Sequence, residues 1–162
     1  MKIKEIKRIV VKIGSSLIVD KDKGVDAKFL NNIGEDILSL RKKGIDTLIV
    51  SSGAIELGKI ELKKTKEKLN LSENQAASSI GQIKLINAWK EALKKFSLDS
   101  AQILITAEDT ENRKRFLNAR STIEELIHER YIPIINENDT VATSEIKYGD
   151  NDRLAARIAG MV

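Results

Sequence analysis

The 162-residue chain has no cysteine, one histidine, one proline and only 4% aromatic residues. Without cysteine there is no disulfide, no thiolate metal ligand and no cysteine nucleophile, which fits a reducing compartment. The single histidine, His128, lies next to charged residues, Glu129 and Arg130 following it at a predicted helix end. It reads as a surface residue and leaves neither a histidine metal site nor a Ser-His-Asp triad. The scarcity of aromatics removes the basic, aromatic-interleaved stripe of a nucleic-acid binder. Charge agrees: 28 basic and 24 acidic residues leave a net +4, and the lysines stand beside glutamates, as in Glu61-Leu62-Lys63-Lys64. That pattern is a solvated helix face, so no nucleic acid is expected as partner. No apolar run reaches the length of a membrane helix, and Met1-Lys2-Ile3-Lys4-Glu5 does not open as a signal peptide does. The expected localisation is cytoplasmic, with no membrane partner.

What is present is an alternation of two periodicities. Arg8 to Ile13 is a short apolar run ended by Gly14-Ser15-Ser16, and reads as a buried strand. Phe29, Leu30, Ile33, Ile37 and Leu40 then recur at helical spacing behind an Asp26 cap and ahead of a Gly44 stop. Thr47 to Val50 gives a second strand, and a helix starts at once from Ala54. A longer helix is expected from a capping box of Ser72 and Gln75, with a stripe of Ala76, Ile80, Ile83, Ile86, Trp89, Leu93 and Phe96. Ala101 to Ile105 and Tyr131 to Ile135 supply two further strands around a helix that carries Phe116, Ala119, Ile123 and Ile127. Pro133 must sit where no ladder donor is needed. Asp150-Asn151-Asp152 caps a closing apolar helix. The fold class is α/β, a mostly parallel sheet sandwiched between helices.

In such sheets ligands bind beyond the carboxyl ends of the strands. The four strands run into Gly14-Ser15-Ser16, Ser51-Ser52-Gly53, Thr106-Ala107-Glu108-Asp109 and Asn136-Glu137-Asn138-Asp139. Turns are commonly rich in these residue types, but four such ends on one edge suit a small charged ligand. Lys12, inside an apolar strand, must bring its ammonium to a polar partner, either a phosphate or the solvent at a sheet edge. It is no Walker lysine, since neither that motif nor a G-x-G-x-x-G is present. Ser52 and Gly53 open a helix, where backbone amides hold anions, or where the serine is simply a cap. Asn136, Asn138 and Asp139 suit an amino acid, the carboxylate facing an ammonium. A carboxylate among Asp150-Asn151-Asp152 is suited to orienting a lysine.

Particular segments carry a resemblance. Val10-Val11-Lys12-Ile13-Gly14-Ser15-Ser16 and Val50-Ser51-Ser52-Gly53-Ala54-Ile55 resemble the first and second strand ends of the amino acid kinase family. Arg115-Phe116-Leu117-Asn118-Ala119-Arg120, Gly81-Gln82 and the run from Ile135 to Asp152 resemble the branch that phosphorylates free glutamate. The resemblance implies transfer of the γ-phosphoryl group of ATP, with Mg2+, to the γ-carboxylate of L-glutamate, the first step of proline synthesis. It implies that Lys12 contacts the transferring group, with Gly14 and Ser15 beside the nucleotide phosphates. Ser52, Gly53, Asp139 and Asn151 are implied to bind glutamate, joined by Asn136, and Asp152, with Asp150, to organise the catalytic lysines. No protein metal ligand set is expected. Proline as feedback inhibitor and a homo-oligomer are implied too.

Family members continue past the segment matching Ala159-Gly160-Met161-Val162. Residues 1–162 are therefore expected to be the amino-terminal, substrate-binding portion of a kinase domain, inactive alone. The nucleotide-binding portion and an RNA-associated carboxy-terminal domain would lie beyond. The alternatives are a sibling kinase acting on another acceptor, and a non-catalytic amino-acid-binding module.

Overall fold

A computed structural model describes residues 6–20, 23–141 and 150–162, without the side chain of Asp150. Four strands form one parallel sheet: β1 (Arg8–Ile13), β4 (Asp46–Ser51), β5 (Ser100–Ile105) and β6 (Ile132–Glu137), in the order β1-β4-β6-β5. Leu48, Ile49 and Val50 of β4 are fully buried. An unbroken apolar run rather than an alternating one is what a strand covered on both faces requires. Each such side chain contributes about 1.5 to 3 kcal/mol on burial.

The sheet divides the core into two layers. Ile13, Ile49, Ile132 and Ile134 face a cluster built with α2 (Ala27–Lys42), α3 (Ala54–Glu61) and α4 (Leu71–Lys94). Leu48, Val50 and Ile135 face the other, built with α6 (Arg113–His128) and α7 (Asp150–Met161). The helices after β1 and β4 thus lie on one face and those after β5 and β6 on the opposite face. Between the neighbours β4 and β6 the outgoing connections diverge, and a crevice opens at their carboxyl ends.

Local chemistry sets the boundaries. Asp26 caps α2, its Oδ1 accepting the Phe29 amide at 2.9 Å. Pro133 lies in an inner strand, yet no ladder bond is lost. The Ile132 amide donates to Asp99 O on the β5 side, so alternation turns the next nitrogen toward β4, whose pairing with β6 starts only at Ile134. Short elements not foreseen from periodicity also occur: α1 (Ser15–Ile18), a small hairpin of β2 (Val19–Asp20) with β3 (Gly24–Val25), α5 (Ala107–Glu111) and a 3-10 turn at Asp139–Val141.

Two expectations about α4 are corrected. Its capping box is Asn70 with Glu73, not Ser72 with Gln75: Asn70 Oδ1 accepts the Glu73 amide and Glu73 Oε2 accepts the Asn70 amide, both at 2.9 Å. Its buried face includes Ala77, Ser78, Gly81, Gln82, Leu85 and Trp89, while Ala76 is exposed and Ile83 is 64% exposed. The reason is the crossing with α3. A Cβ at Gly81 would lie 1.8 Å from Ala54 O, and one at Gly58 would lie 1.8 Å from Ala77 O. Backbones that close admit only small residues, so the inner face is chosen by size where hydropathy pointed elsewhere. Trp89 is buried as expected, its indole N–H donating to Ser51 Oγ at 2.9 Å.

Candidate functional site

A cleft of about 580 Å³ opens at the carboxyl edge of the sheet. The ends of β1, β4 and β6 and the first turn of α7 build it. Lys12, Gly14, Ser15, Ser52 and Gly53 line it from the first two strands, Asn136 and Asp139 from the third, and Asn151 and Asp152 from α7. The side chain of Asp150, and residues 142–149 of the resembling run, lie outside the described residues.

At one point of the cleft Lys12 Nζ lies 2.8 Å from Asp152 Oδ1. The two side chains are 31% and 64% exposed, and a pair so hydrated adds under about 1 kcal/mol to stability. Its consequence is orientation of the ammonium. A Cβ at Gly14 would stand 3.6 Å from Lys12 Nζ, so glycine leaves room for a ligand beside the cation. β1 is an edge of the sheet, which means that Lys12 is both an edge-strand lysine and a cleft residue.

Ser52 is not the helix cap. Gly53 holds that position, in left-handed conformation with φ of +114°, which glycine adopts without steric cost. A Cβ there would also come 3.1 Å from Val19 Cγ2. Relieved of capping, Ser52 Oγ accepts a hydrogen bond from Asn151 Nδ2 at 2.9 Å. Asn151 Oδ1 is buried and has no hydrogen-bond partner among the described residues. A buried acceptor in that condition fits a donor brought by a ligand.

Asp139 is 7% exposed and accepts the Ser78 hydroxyl proton at 2.7 Å. Asn136 is 3% exposed; its Nδ2 donates to Gln82 Oε1 at 2.8 Å and its Oδ1 accepts the Glu137 amide at 2.9 Å. Among the described residues, one amide proton and one lone pair are left without a partner. Ser78 had no distinguishing sign in the sequence, being a polar residue inside a helix, and Gln82 had only its part in the resembling pair Gly81-Gln82. Glu56, Lys59 and Asn74 also line the cleft and were likewise missed. Only their spacing to Gly53 along α3 could have placed the first two.

The third expected polar cluster is elsewhere. β5 forms the far edge of the sheet, and its end is consumed by a local capping box at the start of α5. Asp109 Oδ2 accepts the Thr106 amide at 2.8 Å and the Thr106 hydroxyl at 2.7 Å. These bonds, the amide first, then the hydroxyl and Arg115, hold the Asp109 carboxyl below its ordinary value against the opposing effect of burial. Asn138 is also off the cleft, its amide donating to Ile105 O. His128 is exposed. Arg157 bridges α7 to α5, bonding Ala107 O at 3.2 Å and Glu111 Oε1 at 2.8 Å.

Fold and cleft together define an α/β protein whose parallel sheet presents a cleft lined by charged and polar side chains at its switch point. The sequence pattern described as "Amino acid kinase family" matches residues 7–162; the chain belongs to the amino acid kinase family. It is similar to proteins named glutamate 5-kinase. With that of Brucella abortus it shares 54% identity over 161 residues, 99% of this chain and 43% of that protein. With that of Bradyrhizobium diazoefficiens it shares 55% over 158 residues, 97% and 42%. The chain thus spans under half the length of these curated relatives. Among solved structures, UMP kinase from Ureaplasma parvum superposes with a TM-score of 0.61 at 18% identity, over 97% of this chain and 64% of that one. That likeness shows the fold alone. Among the described residues no helix is long and apolar enough to cross a membrane.

Proposed function

We propose that the protein containing this chain transfers the γ-phosphoryl group of ATP to the γ-carboxylate of L-glutamate, and that the chain supplies the glutamate site and one catalytic lysine. The observation that carries this reading is the meeting of two pairs at one cleft, Lys12 with Asp152 and Ser52 with Asn151. The relatives named glutamate 5-kinase support the choice of acceptor.

Mg-ATP, when bound, supplies the electrophilic phosphorus and most of the charge to be neutralised. The residues here fit its terminal phosphates: an oriented ammonium on Lys12, a glycine beside it at Gly14 and a serine-rich turn. Among the described residues no group of His, Cys, Asp and Glu forms a metal cage. Mg2+ on a nucleotide needs only one or two protein carboxylates and keeps phosphate oxygens and water in the rest of its shell.

A carboxylate acceptor is already ionised, so no general base is required. The work of the site is positioning and charge neutralisation. Lys12 stabilises charge developing on the transferring group, and Asp152 holds that ammonium in place. Asp139 binds the substrate ammonium, with Asn151 Oδ1 as a second acceptor, while Ser52, the Gly53 backbone and Asn136 hold carboxylate oxygens. Proline shares the amino-acid end of glutamate but lacks the acceptor carboxylate, and is the expected competitor at this site.

The test is direct. The full-length protein is incubated with ATP, magnesium, glutamate and hydroxylamine, which traps an acyl phosphate as a hydroxamate. Glutamate-dependent hydroxamate is expected; its absence overturns the proposal. Acetylglutamate, aspartate and carbamate in the same assay separate a sibling acceptor, and calorimetric binding of glutamate without ATP would point to a binding module.

A further inference from the structure

Two residues one helical turn apart on α4 reach across to the end of β6 and the turn that follows it. Ser78 donates to Asp139 Oδ2 and Gln82 accepts from Asn136 Nδ2. All four are at most 9% exposed. The Ser78 bond is not the one a helical serine ordinarily makes. Inside a helix the hydroxyl usually returns its proton to the carbonyl one turn back, as the neighbouring Ser79 does to Gln75 O at 2.9 Å. Ser78 instead reaches a residue 61 positions further along the chain.

The chemistry of the donor matters. A buried carboxylate needs hydrogen-bond donors to stay ionised. The Ser78 hydroxyl supplies one such donor to Asp139 Oδ2. Asp139 is thereby fixed in direction at the cleft it lines. The height of Ser78 is set in turn by the crossing of α3 and α4. Ala77 O, adjacent to Ser78, would meet a Cβ at Gly58, and Ala54 O, just after the Gly53 cap, would meet one at Gly81. The same contact therefore locks the helix that carries Ser78 against the helix that begins at the cleft.

We infer that Ser78 is a positioning residue for recognition of the substrate's amino group, holding the Asp139 carboxylate where the ammonium of an amino-acid substrate meets it. This rests on the glutamate reading above. Gln82 acts on Asn136 in the same way and supports the same wall.

The experiment compares two ligands in the full-length protein: glutamate as substrate, and glutarate, which has both carboxylates but no amino group, as competitive inhibitor. In Ser78→Ala the KM for glutamate should rise by about tenfold, as expected on losing a hydrogen bond to a charged group, and by more than kcat falls. The inhibition constant of glutarate should stay unchanged, so discrimination for the amino group drops by the same factor. An unaltered glutamate KM, or a parallel loss for both ligands as general disruption would give, overturns the inference. Should Ser78→Ala fail to fold, Ser78→Cys, of similar size and a weaker donor, is expected to lose part of the discrimination; full discrimination in that variant overturns the inference. If the unaltered protein forms no glutamate-dependent hydroxamate, the parent reading has failed and this one with it. An active parent with an indifferent Ser78 sinks this inference alone.

Discussion

The hydroxyl of Ser52 and the side-chain amide of Asn151, 99 residues apart in the chain, meet at 2.9 Å. The bond joins the end of β4 to the first turn of α7 and closes one wall of the cleft. If the two residues act as a unit on one substrate group, their removal is not additive. Ser52→Ala and Asn151→Ala should each raise the glutamate KM by about tenfold. The double variant should be little worse than the more severe single one. Steady-state kinetics of the four proteins checks this, and simple multiplication of the two effects would separate the roles.

Lys12 is assigned to the transferring group, whose charge is spread over its equatorial oxygens in the transition state. Lys12→Ala should therefore lower kcat by about 100-fold or more while changing the glutamate KM by only a few-fold. Asp152→Asn, which keeps the shape but loosens the hold on the ammonium, should lower kcat less. A common loss in kcat and affinity for Lys12→Ala would contradict the assignment.

The α3 and α4 crossing predicts a stability effect without any change of charge. Gly81→Ala places a methyl 1.8 Å from Ala54 O, backbone that can yield only if the helices part. A loss of about 3 kcal/mol is expected, at the upper end for overpacking, with α3 and the cleft distorted. Gly160→Ala, where a Cβ meets nothing within 4 Å, is the matched control. Urea unfolding of both variants decides it.

Asp109 gives the pH dependence. Its carboxyl is held below the ordinary value of 3.8, chiefly by the Thr106 amide. A folded value under the unfolded one means that the carboxylate stabilises the fold in full above the unfolded value. That contribution fades as pH falls through the folded value. Asp109→Asn should cost about 1 kcal/mol near neutral pH, as for the loss of a helix cap. The deficit should shrink as pH falls below 3.8 and through the lower, folded value. Thermal melts across that range check it; a deficit independent of pH would show that charge is not the cause.

Periodicity in the sequence was enough to find the four sheet strands and the long helices. A strand covered on both faces must be apolar throughout, as Leu48-Ile49-Val50 is, and a helix lying on a sheet must repeat at its own period, as Leu30, Ile33 and Ile37 do. The face of α4 was misread for the complementary reason. Its burial depends on glycine and alanine fitting against another backbone, and a scale of hydropathy gives Ile83 more weight than Gly81. Parallel order also explains the cleft. Strand ends that follow β1, β4 and β6 were legible as one polar edge, but the β5 cluster was grouped with them because strand order cannot be read from spacing.

Residue types and their local pattern, by themselves, decided that this is an α/β protein with a lysine and several hydroxyl, amide and carboxylate groups at strand ends. Local pattern has that power because periodicity and capping act over a few residues. Which of those groups share a cleft, and that Ser78 and Gln82 stand behind two of them, was decided only by tertiary packing. Contacts such as Ser78 with Asp139 depend on where two elements distant in sequence cross, and that crossing is set by the close fit of Gly58 and Gly81 and not by any property of the residues that meet.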